Sequence, residues 1–151
     1  MDYVARLFPE ISCRLDDFCN RNIDFLDKTV TTFDREMQFY ISYLEYIGVI
    51  RRGGLEFCYP DIFHSKKDIH CYETFDIVLA HKLVRRDAEV VPDDFYLQNE
   101  ERVFIITGPD QGGKTTFARL FAKLHGLTCL GCPVPGRRAG LFLTDGVFTH
   151  F

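Results

Sequence analysis

Apolar side chains recur at steps of three and four along residues 10–50, which is the spacing of an amphipathic α-helix. A gap at Asn22 divides the pattern into two helices, the second with Thr31 or Thr32 as its expected N-cap and Gly48 as its expected end. Because further aromatic residues lie outside its main stripe, this second helix requires neighbours on most sides, and we expect some of them to belong to a partner chain. Over both helices the apolar stripe consists of Leu15, Phe18, Leu26, Val30, Phe33, Met37, Tyr40, Leu44 and Ile47, and on the second helix Phe39, Tyr43 and Tyr46 lie outside it.

Short extended segments, turns and one further helix are predicted for the middle of the chain. In order, the pattern predicts a turn and an extended piece over 51–63, a loop over 64–72, a helix over 74–84, a strand over 88–91, a turn over 92–94 and a strand over 95–97.

The last third of the chain alternates apolar runs with glycine-rich segments. The run at 103–107 predicts a buried strand, and residues 114–125 predict a helix that ends near Gly126. Prolines and glycines predict a loop over 131–140, and 141–145 predict a strand followed by an Asp-Gly turn. Strands and helices in this mixture predict an α/β fold.

Composition and charge narrow the class of protein. With 46% hydrophobic and 26% charged residues, the 151-residue chain has the composition of one globular domain. Its net charge of -4 gives no support for a basic face that grips duplex DNA. We find no signal peptide and no apolar run of membrane-spanning length, so we expect a cytoplasmic chain without membrane contacts whose six cysteines are free thiols.

Residues 108–115 read Gly-Pro-Asp-Gln-Gly-Gly-Lys-Thr and satisfy the phosphate-binding pattern G-x-x-x-x-G-K-[ST]. Glycines let backbone N–H groups close around phosphate oxygens, and the start of a helix directs its positive end at the same anion. Lys114 is expected to reach the β- and γ-phosphates, Thr115 to ligate Mg²⁺, and Thr116 to add a phosphate contact. A chance glycine-rich turn is the alternative, which the flanking strand and helix patterns disfavour. The predicted site comprises Gly108, Pro109, Asp110, Gln111, Gly112, Gly113, Lys114, Thr115 and Thr116.

Three segments resemble the MutS-type DNA mismatch-repair ATPases. The segment VPDDFYLQNEERVFIITGPDQGGKTTFAR is similar to the family's VPND-like segment, strand and GPNMGGKST loop. LGCPVPGRRAGLFLTDGVFTHF resembles the region in which G-x-x-VP precedes D-R-I-F-T-R, and FDREMQFYISYLEYI resembles the helical connection that leads into the ATPase. The resemblance covers residues 15–151, and the loop is its most specific part, because Gly-Pro at the start and two glycines before the lysine are unusual.

The resemblance implies a helical connector over 1–55, the end of a MutS-like core, followed over 56–151 by the first, incomplete half of an ABC-type P-loop ATPase domain. In such proteins ATP lies between two subunits, so the implied partner is a second copy or another MutS-like chain. DNA is implied as a partner of the full-length protein and not of this chain alone. The implied ligands are ATP and Mg²⁺, held through Gly108, Gly112, Gly113, Lys114 and Thr115.

Four departures from the family pattern bear on activity. Asp110 stands where the family has Asn, and its carboxylate is expected to repel a triphosphate. Val90 or Val91 stands where an aromatic residue packs on adenine, and Gly146 replaces the Arg of D-R-I-F. The family's signature, Walker B and catalytic histidine segments correspond to sequence beyond Phe151. We therefore assign no catalytic residue, interpret the chain as a truncated piece of a longer protein, and expect little ATP hydrolysis from it alone.

Two other functions remain open. In one, the chain is a non-catalytic interaction module that dimerises through its aromatic helix. In the other, it is a small P-loop enzyme such as a kinase, with Asp145 as metal ligand and Arg137 and Arg138 as lid residues, although Asp145 fits the Asp-Gly turn better. Cys129 and Cys132 form C-x-x-C without the context of a redox or zinc site, and we interpret them as small buried thiols.

Overall fold

The computed structural model describes residues 2–23, 25, 27–64, 66–110 and 112–148. They fall into two compact units, Met1–Ser42 and Tyr43–Phe151. The mixture of helix and sheet confirms the α/β class. The helices are α1 Asp2–Leu7, α2 Pro9–Arg21, α3 Lys28–Arg52, α4 Ile77–Val84 and α5 Lys114–Cys129. The strands are β1 Phe57–Cys58, β2 Asp61–Phe63, β3 Ile69–Thr74, β4 Asp93–Leu97, β5 Val134–Pro135 and β6 Arg138–Phe142.

The first unit consists of α1, α2 and the beginning of α3. Pro9 begins α2, where its fixed φ suits the first helical turn and its missing N–H removes no helical hydrogen bond. Helix α2 ends at Arg21 and has Asn22 as its C-cap, whose backbone N–H donates to Phe18 O at 3.1 Å, which confirms the predicted break. Leu26 of the predicted stripe lies outside the described residues.

Helix α3 begins earlier and ends later than the sequence predicted. The carboxylate of Asp27 accepts a hydrogen bond from the Thr29 N–H at 2.7 Å, so the predicted threonine caps are wrong. Hydrogen bonds from the side chain and then the backbone of Thr29 lower the pKa of Asp27. Gly48 does not end the helix, because Ile47 and Ile50 on either side of it are fully buried and hold this turn against the core.

The second unit contains a four-stranded sheet in the order β2-β6-β3-β4 and a two-stranded ladder of β1 with β5. Strands β2 and β6 are parallel, whereas β3 runs antiparallel to both of its neighbours. Strand β3 lies partly in the segment predicted as loop over 64–72, and β6 begins inside the segment predicted as loop over 131–140. Both loop predictions are wrong at these positions, since His70 pairs with Gly140 across about half the chain.

Two apolar clusters form the core of the second unit. In the first, Leu120 and Leu124 of α5 pack against the sheet through Cys71, Ala139 and Leu141. The second cluster joins the end of α3 to α4 and consists of Tyr43, Ile47, Ile50, Phe75, Ile77, Ala80 and Cys132. The first cluster fixes α5, and therefore the loop in front of it, on the sheet.

Two predicted strands do not form in the described part of the chain. Residues 88–91 carry no regular structure, and neither do 103–107. Val103 and Ile105 are 75% and 86% exposed, while Phe104 between them is half-buried. The backbone groups of 103–107 make no hydrogen bond to other described residues. A strand requires a neighbour for its ladder, so the prediction of a buried strand before the loop is wrong.

The boundary between the two compact units falls after Ser42, whereas the functional division into 1–55 and 56–151 stays a prediction. Over the described ranges, no helix has both the length and the apolar character required to cross a bilayer.

Candidate functional site

The glycine-rich loop ends where α5 begins, as the sequence predicted. Gly113 is the residue before the helix and has φ 83° and ψ 2°, in the left-handed region that glycine adopts without strain. The first helical bond of α5 runs from Phe117 N to Gly113 O at 2.9 Å. A side chain at this position would strain the entry into the helix, so Gly113 sets the direction in which the loop meets α5.

A tight turn forms the middle of the loop. The Gly112 N–H donates to Pro109 O at 3.1 Å. A Cβ atom on Gly112 would lie 2.9 Å from that same oxygen, closer than real contacts allow, whereas a Cβ on Gly108 would meet no atom within 4 Å. The turn therefore requires glycine at 112. Gln111 of the predicted site lies outside the described residues.

The side chain of Lys114 folds back over this turn. Its Nζ donates to Gly108 O at 2.8 Å and to Pro109 O at 2.5 Å. The Oδ1 of Asp110 lies 3.9 Å from the same nitrogen, and the Asp110 side chain is fully exposed. An exposed ion pair of this kind contributes little stability. The amino group of Lys114 is thus held over the loop mainly by backbone carbonyls.

The first turn of α5 presents backbone donors beside this amino group. The N–H groups of Lys114, Thr115 and Thr116 precede the first helical hydrogen bond and have no acceptor within the helix. Gly113 supplies no side-chain cap. Thr115 is exposed and Thr116 is half-buried. A lysine, unpaired N–H groups and the positive end of a helix are a donor set that fits a phosphate group, and the exposed Thr115 hydroxyl fits a metal-ligand role.

Aromatic side chains anchor α5 behind the loop. The ring of Phe117 lies 5.1 Å from Phe95 of β4 and 5.9 Å from Phe104, both edge-on. Phe121 continues the stack toward His125 at 4.7 Å. Burial lowers the pKa of His125, while a hydrogen bond to the Phe142 backbone acts in the opposite direction. These contacts hold the first two turns of α5 on the sheet and hold Phe104 near them, although 103–107 does not become a strand.

An open apolar groove of about 610 Å³ runs along α5. Residues within 101–106, α5 and 144–148 contribute its walls. Among the described residues of the predicted phosphate site, none lines this groove. This groove and the glycine-rich loop are therefore separate features.

The other candidate residues do not join the loop. Asp145 is exposed at a bend after β6, as the turn prediction required. Arg137 pairs with Glu73 at 3.1 Å and Arg138 lies 3.8 Å from Asp61. Within the described ranges, no group of three or more His, Cys, Asp or Glu side chains is placed to hold a metal ion.

The C-x-x-C thiols differ in their surroundings. Cys132 is buried, whereas Cys129 is exposed, so the prediction of two buried thiols is wrong for Cys129. Cys129 is the last residue of α5, which extends beyond Gly126.

One anchoring pair was missed in the sequence. Asp76 caps α4 by accepting the Leu79 N–H at 2.8 Å, and its other carboxylate oxygen accepts from Lys123 of α5. The side chain of Asp76 is 5% exposed, so this ion pair is largely shielded from water. The N-cap role of Asp76 could have been predicted, since Asp directly before an apolar helical run is a typical N-cap. The ion pair could not, because Lys123 lies 47 residues away in sequence.

The described residues define the chain as a mixed helix-and-sheet protein with a lysine-bearing glycine loop at the start of a helix. No family model matches it. Over 70 residues it is 39% identical to DNA mismatch repair protein MutS 1 of Haloarcula marismortui, a match covering 46% of this chain and 8% of that protein. Over 88 residues it is 36% identical to DNA mismatch repair protein MutS of Fervidobacterium nodosum, covering 58% of this chain and 11% of that protein.

A third relative is DNA mismatch repair protein MutS of Lysinibacillus sphaericus, 32% identical over 88 residues that cover 58% of this chain and 10% of that protein. The chain is MutS-related in sequence. It spans 8% to 11% of the length of these three relatives.

Proposed function

We propose that this chain is the ATP-binding part of a MutS-like DNA mismatch-repair ATPase. Residues 1–55 are its helical connector and 56–151 the first half of an ABC-type P-loop ATPase domain. The names of the similar proteins support the repair role. The observation that carries the ATP-binding role is the position of the Lys114 amino group over the loop, at the start of α5.

In this proposal the loop holds the phosphates of Mg-ATP. Lys114 exchanges the carbonyl oxygens of Gly108 and Pro109 for phosphate oxygens, since an anion is a stronger partner for an ammonium group than a neutral carbonyl. Backbone N–H groups at the start of α5 bind further phosphate oxygens. The hydroxyl of Thr115 ligates Mg²⁺, and Thr116 adds a phosphate contact.

The same proposal separates binding from turnover. Phosphoryl transfer depends on groups positioned around the γ-phosphate and on the attacking water. The described residues of the loop from Gly108 to Gly113 are all exposed. We therefore propose that this chain alone binds ATP without hydrolysing it efficiently, that a second copy or another MutS-like chain completes the site, and that DNA is bound by the full-length cytoplasmic protein.

A calorimetric titration of Mg-ATP into the chain tests the site. We expect Lys114→Ala to weaken binding at least tenfold, because it removes the cation that faces the phosphates. Lys82→Ala is the matched control, since it removes the same charge from an exposed position in α4. Equal affinities for Lys114→Ala and the unmodified chain would contradict the proposal.

A dimerising interaction module with an unused loop is the second candidate. One observation favours it: the apolar side chains of α2 and of the start of α3 are exposed. Absence of Mg-ATP binding to the unmodified chain, together with reversible self-association, would select this candidate.

A further inference from the structure

Helix α2 and its N-cap residue carry an apolar face that no described part of the chain covers. The face, called here the α2 face, consists of Phe8, Ile11, Leu15 and Phe18, spaced by three, four and three residues. These side chains are between 55% and 65% exposed. Spacing that alternates between three and four is the a and d pattern of a coiled-coil seam.

The start of α3 carries a second face of the same kind. The α3 face consists of Val30, Phe33, Met37 and Tyr40, again spaced by three, four and three residues. Val30 and Phe33 are 54% and 62% exposed, and Met37 and Tyr40 are 38% and 37% exposed. Both faces belong to the first compact unit.

The two faces match each other in antiparallel register. In an antiparallel coiled coil each a position meets a d position of the facing helix. Phe8 and Leu15 of α2 are a positions and meet Tyr40 and Phe33, which are d positions of α3. The d positions of α2 meet the a positions of α3, so that Ile11 faces Met37 and Phe18 faces Val30. All four layers are apolar.

Charges at the edges of the faces favour this pairing over antiparallel self-pairing of either face. In the same register Arg14, on one edge of the α2 face, meets Glu36, on the corresponding edge of the α3 face. Two α2 faces paired in antiparallel register would bring Arg14 against Arg14. Two α3 faces would bring Glu36 against Glu36 and Asp34 against Asp34. Like charges across a seam oppose association, so in antiparallel register α2 is complementary to α3 and not to itself.

We propose that two copies of this chain assemble by laying the α2 face of each on the α3 face of the other. Within one chain Leu15 and Phe33 remain 60% and 62% exposed, so α2 does not cover its own α3. Reciprocal pairing covers both faces of both copies. If each of the eight side chains per copy loses about 90 Å², the pair buries roughly 1,400 Å² in total, within the range of stable interfaces.

Analytical ultracentrifugation of the whole chain over a range of concentrations tests the assembly. We expect a reversible dimer that Leu15→Asp converts to monomer, because a carboxylate then lies in the centre of the seam. Cys13→Asp is the matched control: it adds the same charge to α2 on the side opposite the face, where Cys13 is exposed. A monomeric unmodified chain, or a dimer that withstands Leu15→Asp, would overturn the proposal.

Charge exchange tests whether the faces pair between copies. Arg14→Glu alone and Glu36→Arg alone are each expected to weaken the dimer about tenfold, since each brings two like charges together at both equivalent places in the assembly. Mixing the two variants restores a heterodimer, because the substituted positions 14 and 36 then face each other with opposite charges, and the unsubstituted Arg14 faces the unsubstituted Glu36. If the mixture stays as weakly associated as either variant, the faces do not pair in this way between copies, and the proposal is wrong.

Discussion

Asp110 brings a negative charge to a loop whose other groups are donors. Its Oδ1 lies 3.9 Å from Lys114 Nζ, while the carbonyls of Gly108 and Pro109 are closer to that nitrogen. The carboxylate is fully exposed, so solvent screens both its attraction to the lysine and its repulsion of an approaching anion. At the residue scale the loop therefore keeps its lysine in place through the backbone, and Asp110 opposes a phosphate only moderately.

Asp110→Asn is expected to strengthen Mg-ATP binding about threefold to tenfold, because it removes a like charge beside the phosphates without changing the backbone. Calorimetry at low and at physiological ionic strength measures the change, which is expected to shrink as salt rises. Glu100→Gln serves as control, since it removes one negative charge from an exposed turn. Unchanged or weaker binding in Asp110→Asn would argue against a phosphate at this loop.

At the element scale, α3 and α5 each continue beyond the glycine that the sequence pattern takes as the end of the helix. Gly126 lies inside α5 and not at its end, since the helix continues to Cys129 through the buried Thr128. Thr128 Oγ1 donates to Leu124 O at 2.7 Å within the last turns. Unlike Gly126, Gly136 lies outside any helix. It joins β5 to β6 with φ 136°, and its N–H donates to Glu56 O at 3.0 Å.

These two glycines are expected to respond in opposite directions to alanine. Gly126→Ala should raise the free energy of unfolding by about 0.5–1 kcal/mol, because alanine restricts the unfolded chain and a Cβ there meets no atom within 4 Å. Gly136→Ala should lower it by about 2 kcal/mol or more, since a Cβ would lie 2.8 Å from Thr74 Cγ2 in a backbone conformation that alanine avoids. Urea unfolding followed by circular dichroism measures both, and equal effects would contradict this assignment.

At the scale of the whole molecule, each compact unit leaves apolar groups uncovered. In the first unit the faces of α2 and α3 are exposed. In the second unit, 103–107 places Val103 and Ile105 in solvent beside the groove along α5 and leaves its backbone groups without partners among the described residues. Unpaired backbone and exposed apolar side chains together are typical of a segment whose partner strand comes from elsewhere.

Hydrogen exchange measured by mass spectrometry on the whole chain should distinguish the paired strand β6 from the unpaired segment 103–107. We expect the amides of β6 to exchange at least about a hundredfold more slowly than those of 103–107, because β6 is paired on both sides and 103–107 is not. Residues 114–116 at the start of α5 are the internal reference, since their N–H groups also lack helical acceptors. Protection of 103–107 equal to that of β6 would contradict the structure at this segment.

The sequence by itself determined the features that depend on near neighbours. The helices over 10–50, the helix over 74–84 and the start of α5 at Lys114 could be predicted, because helical hydrogen bonds join residues four apart and caps act over three. The glycines of the loop could be assigned for the same reason. A Cβ on Gly112 would collide with the carbonyl oxygen of Pro109, and Gly113 is the N-cap residue directly before Lys114.

Only the tertiary structure decided which apolar runs become strands. Residues 69–72 looked like loop and belong to strand β3 because β4 and β6 pair with it, whereas 103–107 looked like a strand and is not, since no described segment pairs with its backbone. The extension of α3 past Gly48 likewise depends on burial of Ile47 and Ile50 against α4. Strand pairing and burial join residues far apart in sequence, and a local pattern of apolar positions does not specify which distant segment pairs with it or packs against it.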